Sequence, residues 1–183
     1  MGCYGLDSDS RRLAEAVQAK LHKISSPDSS SISSSERTPY RHHHIISPQS
    51  VARLISNTLY SSNLMCAPVV VGLGRSGHAG DAEGRSKEPS NCSVSTPYIC
   101  CLDGLGAMTV TDKFAVTGTA NHALYAICES YFQSELSAGD LVSLTEKCIK
   151  LGLQRDILSG CNVRIYLITA DGMYTRDIVT FDV

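Results

Sequence analysis

The stretch VVVGLGRSG, residues 69–77, decides between two kinds of fold for this chain. It enters the pattern G-x-G-x-x-G at Gly72, Gly74 and Gly77, which in dinucleotide-binding proteins seats a pyrophosphate on the N-terminus of a following helix. Residues 78–90 read HAGDAEGRSKEPS, with two more glycines, a proline and no apolar periodicity. This continuation is typical of a loop. We therefore interpret the stretch as a strand that enters a long hairpin connection, and keep a dinucleotide-binding module on these glycines as an alternative.

Two runs rich in β-branched and aromatic residues flank this loop. They cover Ala67–Leu73 and Pro97–Leu102, and together they predict a hairpin whose connection, residues 74–96, is a flexible insertion. A third strand is predicted at Phe114–Val116. A last hairpin is predicted from Cys161–Thr169 and Met173–Val183, because Asp-Gly within a short connection between two strand-like runs is a strong turn signal.

Four segments show the 3.6-residue apolar period of amphipathic helices. The second begins at Ser47-Pro48, a capping serine before a proline in the first turn, and the fourth begins at Ser137, with Asp140 placed for a capping box. The predicted ranges are 10–24, 48–61, 120–132 and 137–153. Helices and strands thus follow one another in blocks, which predicts an α+β fold with antiparallel strands and not a doubly wound parallel sheet.

Length and composition indicate one globular domain over residues 1–183. The chain is 43% hydrophobic with a net charge of -2, too small a charge to favour nucleic acid or an anionic membrane as partner. No apolar run is long enough to cross a membrane, and we expect an intracellular protein. The eight cysteines form no regular frame, so we predict that in a reducing compartment most of them are small buried hydrophobic residues.

Residues 25–44 read SSPDSSSISSSERTPYRHHH and form a predicted serine-rich insertion. A segment this polar buries too little apolar surface to offset the entropy of ordering it. Its three histidines, His42 to His44, are consecutive, whereas metal sites draw spaced ligands from several elements. The sequence therefore predicts no metal site and no cofactor.

Four short sequences, taken in order, resemble one family. They are Tyr98–Gly106, Val110–Thr119, Cys128–Ser130 and Arg155–Gly160. With their intervening helices they resemble β-type subunits of the 20S proteasome, most closely the type-3 group. The resemblance extends over residues 97–183, and more loosely over the helices at 10–24 and 48–61. It implies a four-layer αββα sandwich of the N-terminal-nucleophile hydrolase type, with both insertions on the surface.

The resemblance also implies which residues to examine. Active members attack a peptide carbonyl with an N-terminal threonine, aided by a lysine, and an aspartate and a serine support that site. Asp156 and Ser159 match the supporting pair, while Gly118 stands where a second serine is expected. We predict that Asp156, Ser159 and Gly160 shape the corner between a helix and a strand, the aspartate by accepting backbone amides.

The first strands of the family fold, which carry the threonine and the lysine, are expected to be absent from this chain, because Tyr4–Asp9 resembles the end of a later strand. Type-3 members are non-catalytic in any case. The resemblance thus implies a structural, non-enzymatic β subunit of a protein-degrading particle in cytoplasm and nucleus, in a heptameric β ring beside an α ring. The alternative is a truncated record of an active threonine endopeptidase.

One further segment is implied to reach a neighbour. In the family, the turn that matches Asp103–Ala107 helps to line the substrate pocket of the adjacent type-2 subunit. Asp103 and Ala107 are therefore candidates for a neighbour's pocket, and Asp103 would add negative charge near a trypsin-like site. An ordinary turn residue is the open alternative.

Overall fold

The computed structural model describes residues 1–25, 46–75, 95–160 and 162–179. The predicted serine-rich insertion therefore lies outside the described residues, apart from Ser25 at the end of the first helix. Within those residues the elements follow in blocks, which confirms the predicted α+β class. In chain order they are β1 (Gly2–Gly5), α1 (Asp7–Ser25), α2 (Pro48–Ser62), β2 (Cys66–Arg75), β3 (Ser95–Leu102), β4 (Met108–Thr111), α3 (Asn121–Tyr131), α4 (Ala138–Leu153), β5 (Asn162–Thr169) and β6 (Gly172–Val179).

The strands form two antiparallel sheets. One sheet has the order β1-β2-β3-β4, and the other consists of β5 and β6. The turn between β5 and β6 lies where Asp-Gly predicted it, and Gly172, at φ 154°, pairs with Thr169. The predicted last hairpin is confirmed for residues 162–179.

The β2–β3 hairpin settles the meaning of the glycine pattern. Gly72 pairs with Tyr98 and Gly74 with Thr96 in an antiparallel ladder, so both glycines are mid-strand and neither precedes a helix. The alternative of a dinucleotide-binding module is wrong for these two positions, and Gly77 lies outside the described residues. Glycine at position 72 instead allows α2 to pack closely on the strand, because an added Cβ would lie 2.9 Å from Cγ of Pro48.

Two predicted strand boundaries need correction. The hairpin ladder extends to Arg75 and resumes at Ser95, so residues 74, 75, 95 and 96 belong to strands and not to the predicted insertion. The strand that follows this hairpin is β4 at Met108–Thr111, and the predicted third strand Phe114–Val116 is not a strand. The reason is pairing: a tight turn after Leu102 brings Met108 directly opposite it, and the ladder then runs only as far as Thr111.

The helix ends follow the predicted caps. The Ser47 hydroxyl accepts the amide of Ser50 at 3.2 Å, and Ser137 accepts that of Asp140 at 3.2 Å, so both helices begin as the sequence predicts. The Ser137 hydroxyl also donates to the Asp140 carboxylate at 2.6 Å. Helix α1 begins earlier than predicted, at Asp7, whose carboxylate pairs with Arg11 one turn later.

The main core lies between the four-stranded sheet and helices α1 and α2. Leu13 and Val17 are one helical turn apart, so both point from α1 into this core. Thr58 is its buried polar member, and its hydroxyl accepts the Lys20 ammonium at 2.8 Å and donates to Leu54 at 2.7 Å. The buried members are Leu13, Val17, Ala52, Ile55, Leu59, Leu64, Cys66, Val70, Cys100 and Leu102.

Helices α3 and α4 pack on each other, and α4 packs against β5. Their contact is close at Gly152, where an added Cβ would lie 2.3 Å from Cδ2 of Leu124. Glu146 ties α4 to the hairpin, because its carboxylate contacts Arg176 of β6 at 3.4 Å as well as Lys150 at 2.8 Å. Strand β2 in turn contacts β5, which brings the two sheets together.

Candidate functional site

The corner between α4 and β5 carries the predicted family-site residues. The last turn of α4 tightens, since the amides of Arg155 and Asp156 donate to Gly152 and Leu153 at 3.1 Å each. The chain then turns through Ile157 and Leu158 before β5. Both of these aliphatic side chains are exposed, Ile157 by 98%.

Asp156 is the centre of this corner. Its Oδ2 accepts the Ser159 hydroxyl at 2.5 Å and also the hydroxyl of Thr119, while its Oδ1 accepts the Leu158 amide at 3.2 Å. The structure thus brings Asp156 and Ser159 together. One bond is to a backbone amide, and the other two are to side-chain hydroxyls.

These hydrogen bonds also set the charge of the corner. The hydroxyl of Ser159, and then that of Thr119, stabilise the carboxylate form and lower the pKa of Asp156 from its ordinary 3.8. Asp156 is therefore an anion at neutral pH. A carboxylate that accepts all these hydrogen bonds can fix the conformation of the corner. It can also orient a polar group of a bound molecule.

Thr119 is the corner residue that sequence reasoning missed. It lies two residues before α3, and Asp156 follows α4, so their hydrogen bond joins the start of α3 to the end of α4. The predicted residue Gly118 lies beside it with φ 112°, a conformation that favours glycine. The signal was present as Thr-Gly-Thr, where a glycine is flanked by two hydroxyls, but only the folded chain shows which hydroxyl reaches Asp156.

Gly160 has a different environment. It is exposed, no heavy atom lies within 4 Å of an added Cβ, and its φ is not in the left-handed region. The structure therefore gives no steric reason for glycine at this position.

The turn from Asp103 to Ala107 is built around one carboxylate. Asp103 Oδ1 accepts the amides of Leu105 at 2.9 Å and Ala107 at 2.8 Å. The backbone closes the turn as well, because the Asp103 amide donates to Ala107 at 3.1 Å. Gly106 has φ 86°, and its carbonyl accepts the Ser56 hydroxyl of α2 at 2.6 Å. The turn is therefore rigidly joined to α2.

An apolar groove lies beside this turn. It has a volume of about 840 Å³. Leu105 is 77% exposed at its edge, and Met65 is 76% exposed. The two candidate sites, the Asp156 corner and the Asp103 turn, belong to different turns and share no hydrogen bond among those of the described residues.

Within the described ranges, no three His, Cys, Asp or Glu side chains cluster so that they could hold a metal ion. The three histidines considered above lie outside those ranges. No helix of the described ranges is long and apolar enough to cross a membrane.

Comparison with known proteins agrees with the geometry. Residues 92–168 match the family described as "Proteasome subunit". A probable proteasome subunit beta type-3 of Schizosaccharomyces pombe is 28% identical over 179 residues, which is 96% of this chain and 72% of that protein. The chain is similar to the proteasome β-type subunits. The proteasome subunit beta type-3 of Dictyostelium discoideum is 31% identical over 137 residues, 73% of this chain and 58% of the relative.

The proteasome match contains every candidate residue. Asp103, Ala107, Gly118, Asp156 and Ser159 all lie inside 92–168, as does Gly160. The chain spans only part of its proteasome relatives, from 72% of the S. pombe protein to 52% of the beta type-3-B subunit of Arabidopsis thaliana. The β-type resemblance drawn from the sequence is confirmed.

Proposed function

We propose that the chain is a non-catalytic, structural β subunit of the 20S proteasome core particle. In this proposal it occupies one position of a heptameric β ring, next to an α ring, and protein substrates of ATP- and ubiquitin-dependent degradation pass through the chamber. The observation that carries the proposal is the similarity to beta type-3 subunits, which in the S. pombe protein extends over 96% of this chain. Type-3 members lack the catalytic threonine, so the resemblance favours a structural role.

The arrangement of layers supports the proposed four-layer αββα sandwich. Helices α1 and α2 lie on the four-stranded sheet, β2 contacts β5, and α4 packs on β5. We therefore propose that the order from one side to the other is helix, sheet, sheet, helix. The two-stranded sheet exposes Tyr166 by 55% and Met173 by 64% on one face, which suits a layer that further strands or a partner complete.

The Asp156 corner supports a structural role. Both carboxylate oxygens accept hydrogen bonds from the chain itself, and these bonds join the ends of α3, α4 and the start of β5. In this proposal Asp156, Ser159 and Gly118 keep the family's corner as a scaffold. Gly160 is proposed to belong to it by position only.

The Asp103 turn supports a contact with the neighbouring subunit. Asp103 is exposed, it is fixed by two backbone amides, and Leu105 projects beside the apolar groove. A rigid, protruding turn can reach into an adjacent chain without loss of conformational entropy on binding. We propose that Asp103 and Ala107 line the neighbour's substrate pocket, and that the carboxylate favours substrates with a basic side chain.

The same proposal includes one domain over residues 1–183, with surface insertions in the parts of 25–44 and 74–96 that lie outside the described strands and helix. It also places the protein in the cytoplasm and the nucleus, where such particles act.

Purification of a tagged copy of the protein at its natural expression level tests the proposal. We expect it to co-purify with α-type and other β-type proteasome subunits in one particle, as measured by native mass spectrometry. Recovery as a free chain would overturn the ring proposal. The N-terminal residue of the recovered subunit decides on catalysis, because an exposed N-terminal threonine would favour an active threonine endopeptidase.

The neighbour pocket is tested in the same particle with Asp103→Asn. Asparagine keeps an oxygen that can accept the two amides but removes the charge, so the turn should persist. We expect slower cleavage after basic residues and unchanged cleavage after apolar residues. Asp112→Asn is the matched control, since Asp112 is also an exposed acid and follows β4, the strand that begins at this turn. Equal cleavage rates in both variants would refute a role for Asp103.

A further inference from the structure

Two cysteines of the four-stranded sheet lie side by side across β1 and β2. In the register of these strands Cys3 faces Pro68, and Gly5 faces Cys66. Residues two apart on a strand point to the same face, so Cys3 and Cys66 are diagonal neighbours on one face. Because the residue directly opposite Cys66 is a glycine, no β1 side chain lies between the two thiols.

The two cysteines differ in access. Cys3 is exposed on the edge strand, while Cys66 is 4% exposed within the main core, and both are free thiols. Burial, followed by the nearby Cys3 thiol, raises the pKa of Cys66 to about 11. A peroxide can therefore reach Cys3, whereas Cys66 is shielded and is not the first thiol to react.

The geometry points to Cys3 and Cys66 as an oxidation site at which a peroxide produces a disulfide between β1 and β2. In the first step the Cys3 sulfur attacks the peroxide, its S–H proton is lost, and Cys3 becomes a sulfenic acid while one oxygen leaves as water. In the second step the Cys66 sulfur attacks the Cys3 sulfur, the S–O bond breaks, and a second water leaves. Two thiols and one hydrogen peroxide give one disulfide and two waters.

The disulfide would act on the edge of the sheet. It closes a loop that contains both α1 and α2, and it fastens the four-residue strand β1 to β2. This inference goes beyond the proposed function and does not depend on it, because it rests on the β1–β2 register and on the exposure of one thiol.

A second thiol pair in the chain serves as an internal control. Cys128 of α3 lies near Cys148 of α4, and burial, followed by the nearby Cys148 thiol, raises the pKa of Cys128 to about 11. Cys128 is half-buried and Cys148 is buried, so this pair has no exposed member. We expect it to remain reduced at peroxide doses that oxidise Cys3.

Peptide mass spectrometry tests the site in the full chain recovered natively from cells. After treatment with hydrogen peroxide, remaining thiols are blocked with N-ethylmaleimide and the protein is digested with trypsin. Cys3 lies in residues 1–11 and Cys66 in residues 54–75, each the only cysteine of its tryptic peptide. We expect these two peptides to appear as one disulfide-linked species, before any link from Cys128 to Cys148, and to separate on reduction.

Two variants make the result decisive. Cys3→Ser changes an exposed residue and should leave the fold intact, and it must abolish the linked species. In Cys66→Ser the sulfenic acid has no partner, so dimedone labelling of Cys3 should rise several-fold above the native chain. The proposal is overturned if dimedone labels Cys3 equally in the native chain and in Cys66→Ser. It is also overturned if the linked species forms as fast in urea-unfolded protein, since the fold would then not place the pair.

Discussion

Replacing two glycines of helix α4 by alanine should have opposite effects on stability. Gly139, near the start of the helix, has open space around an added Cβ, whose nearest neighbour is the Ser137 hydroxyl at 4.0 Å. Gly152, in the last turn, is buried, and its added Cβ would lie 2.3 Å from Cδ2 and 2.7 Å from Cγ of Leu124 in α3. Both positions are helical, so the conformational gain from alanine is similar.

The magnitude follows from these distances. Alanine in place of glycine stabilises a helix interior by about 0.8–1 kcal/mol. At Gly152 the new methyl group must displace Leu124 by more than an ångström, and overpacking of this kind costs about 1–3 kcal/mol. In the comparison of the two variants the helix term cancels. Gly152→Ala should therefore be less stable than Gly139→Ala by about 1–3 kcal/mol.

Thermal denaturation of the tagged chain in native cell extract measures this difference in the protein's own assembly. For a chain of this size, 1 kcal/mol corresponds to about 2–4 °C, so the melting temperatures should differ by about 2–12 °C. Gly139→Ala should melt at or above the native temperature. If Gly152→Ala melts as high as Gly139→Ala, then α3 does not approach α4 as described, and the placement of Thr119 next to Asp156 loses its support.

Three further outcomes are expected. The pKa of Asp156 is lowered in the folded chain, so its contribution to stability is present above its ordinary pKa of 3.8 and is lost as the pH falls through the lower folded value. Asp156→Asn should therefore make the melting temperature less dependent on pH in the acid range. A pH dependence equal to that of the native chain would contradict this. Gly106→Ala should lower the free energy of unfolding by about 2 kcal/mol or more, since φ is 86° and the Cβ would lie 2.5 Å from the Ser56 carbonyl oxygen. Gly160→Ala, measured by the same melting assay, should leave the stability unchanged. Thr58→Val should cost about 1 kcal/mol by removing the acceptor of Lys20, and equal melting of the two chains would show that this buried bond is not net stabilising.

Local signals predicted the helix starts well. Ser47 and Ser137 cap as expected because a hydroxyl and an amide three residues on are close in sequence and need no tertiary contact. The third strand was misplaced because strand identity depends on the partner. Phe114–Val116 is rich in strand-forming residues, yet the turn held by Asp103 fixes the ladder at Met108–Thr111.

The candidate corner was predicted in part for the same reason. Asp156 and Ser159 are three residues apart and could be paired from the sequence, with the resemblance supplying their place at the end of a helix. Thr119 could not be found in this way, because its hydroxyl meets Asp156 only when α3 packs on α4. For Gly160 the sequence suggested more than the structure supports. Its position in the motif is clear, but the structure shows no steric need for glycine there.

The bond from Thr119 to Asp156 bears on the order in which the chain assembles. It closes a segment that consists of α3 and α4 alone, and loops of this length form at a small entropic cost. Strand β1, by contrast, is separated in sequence from its partner β2 by both α1 and α2. Contacts that are local in sequence form first, so the α3–α4 hairpin is expected to gain amide-exchange protection early. The attachment of β1 would then be the late step, and the stage at which the edge of the sheet stays open the longest.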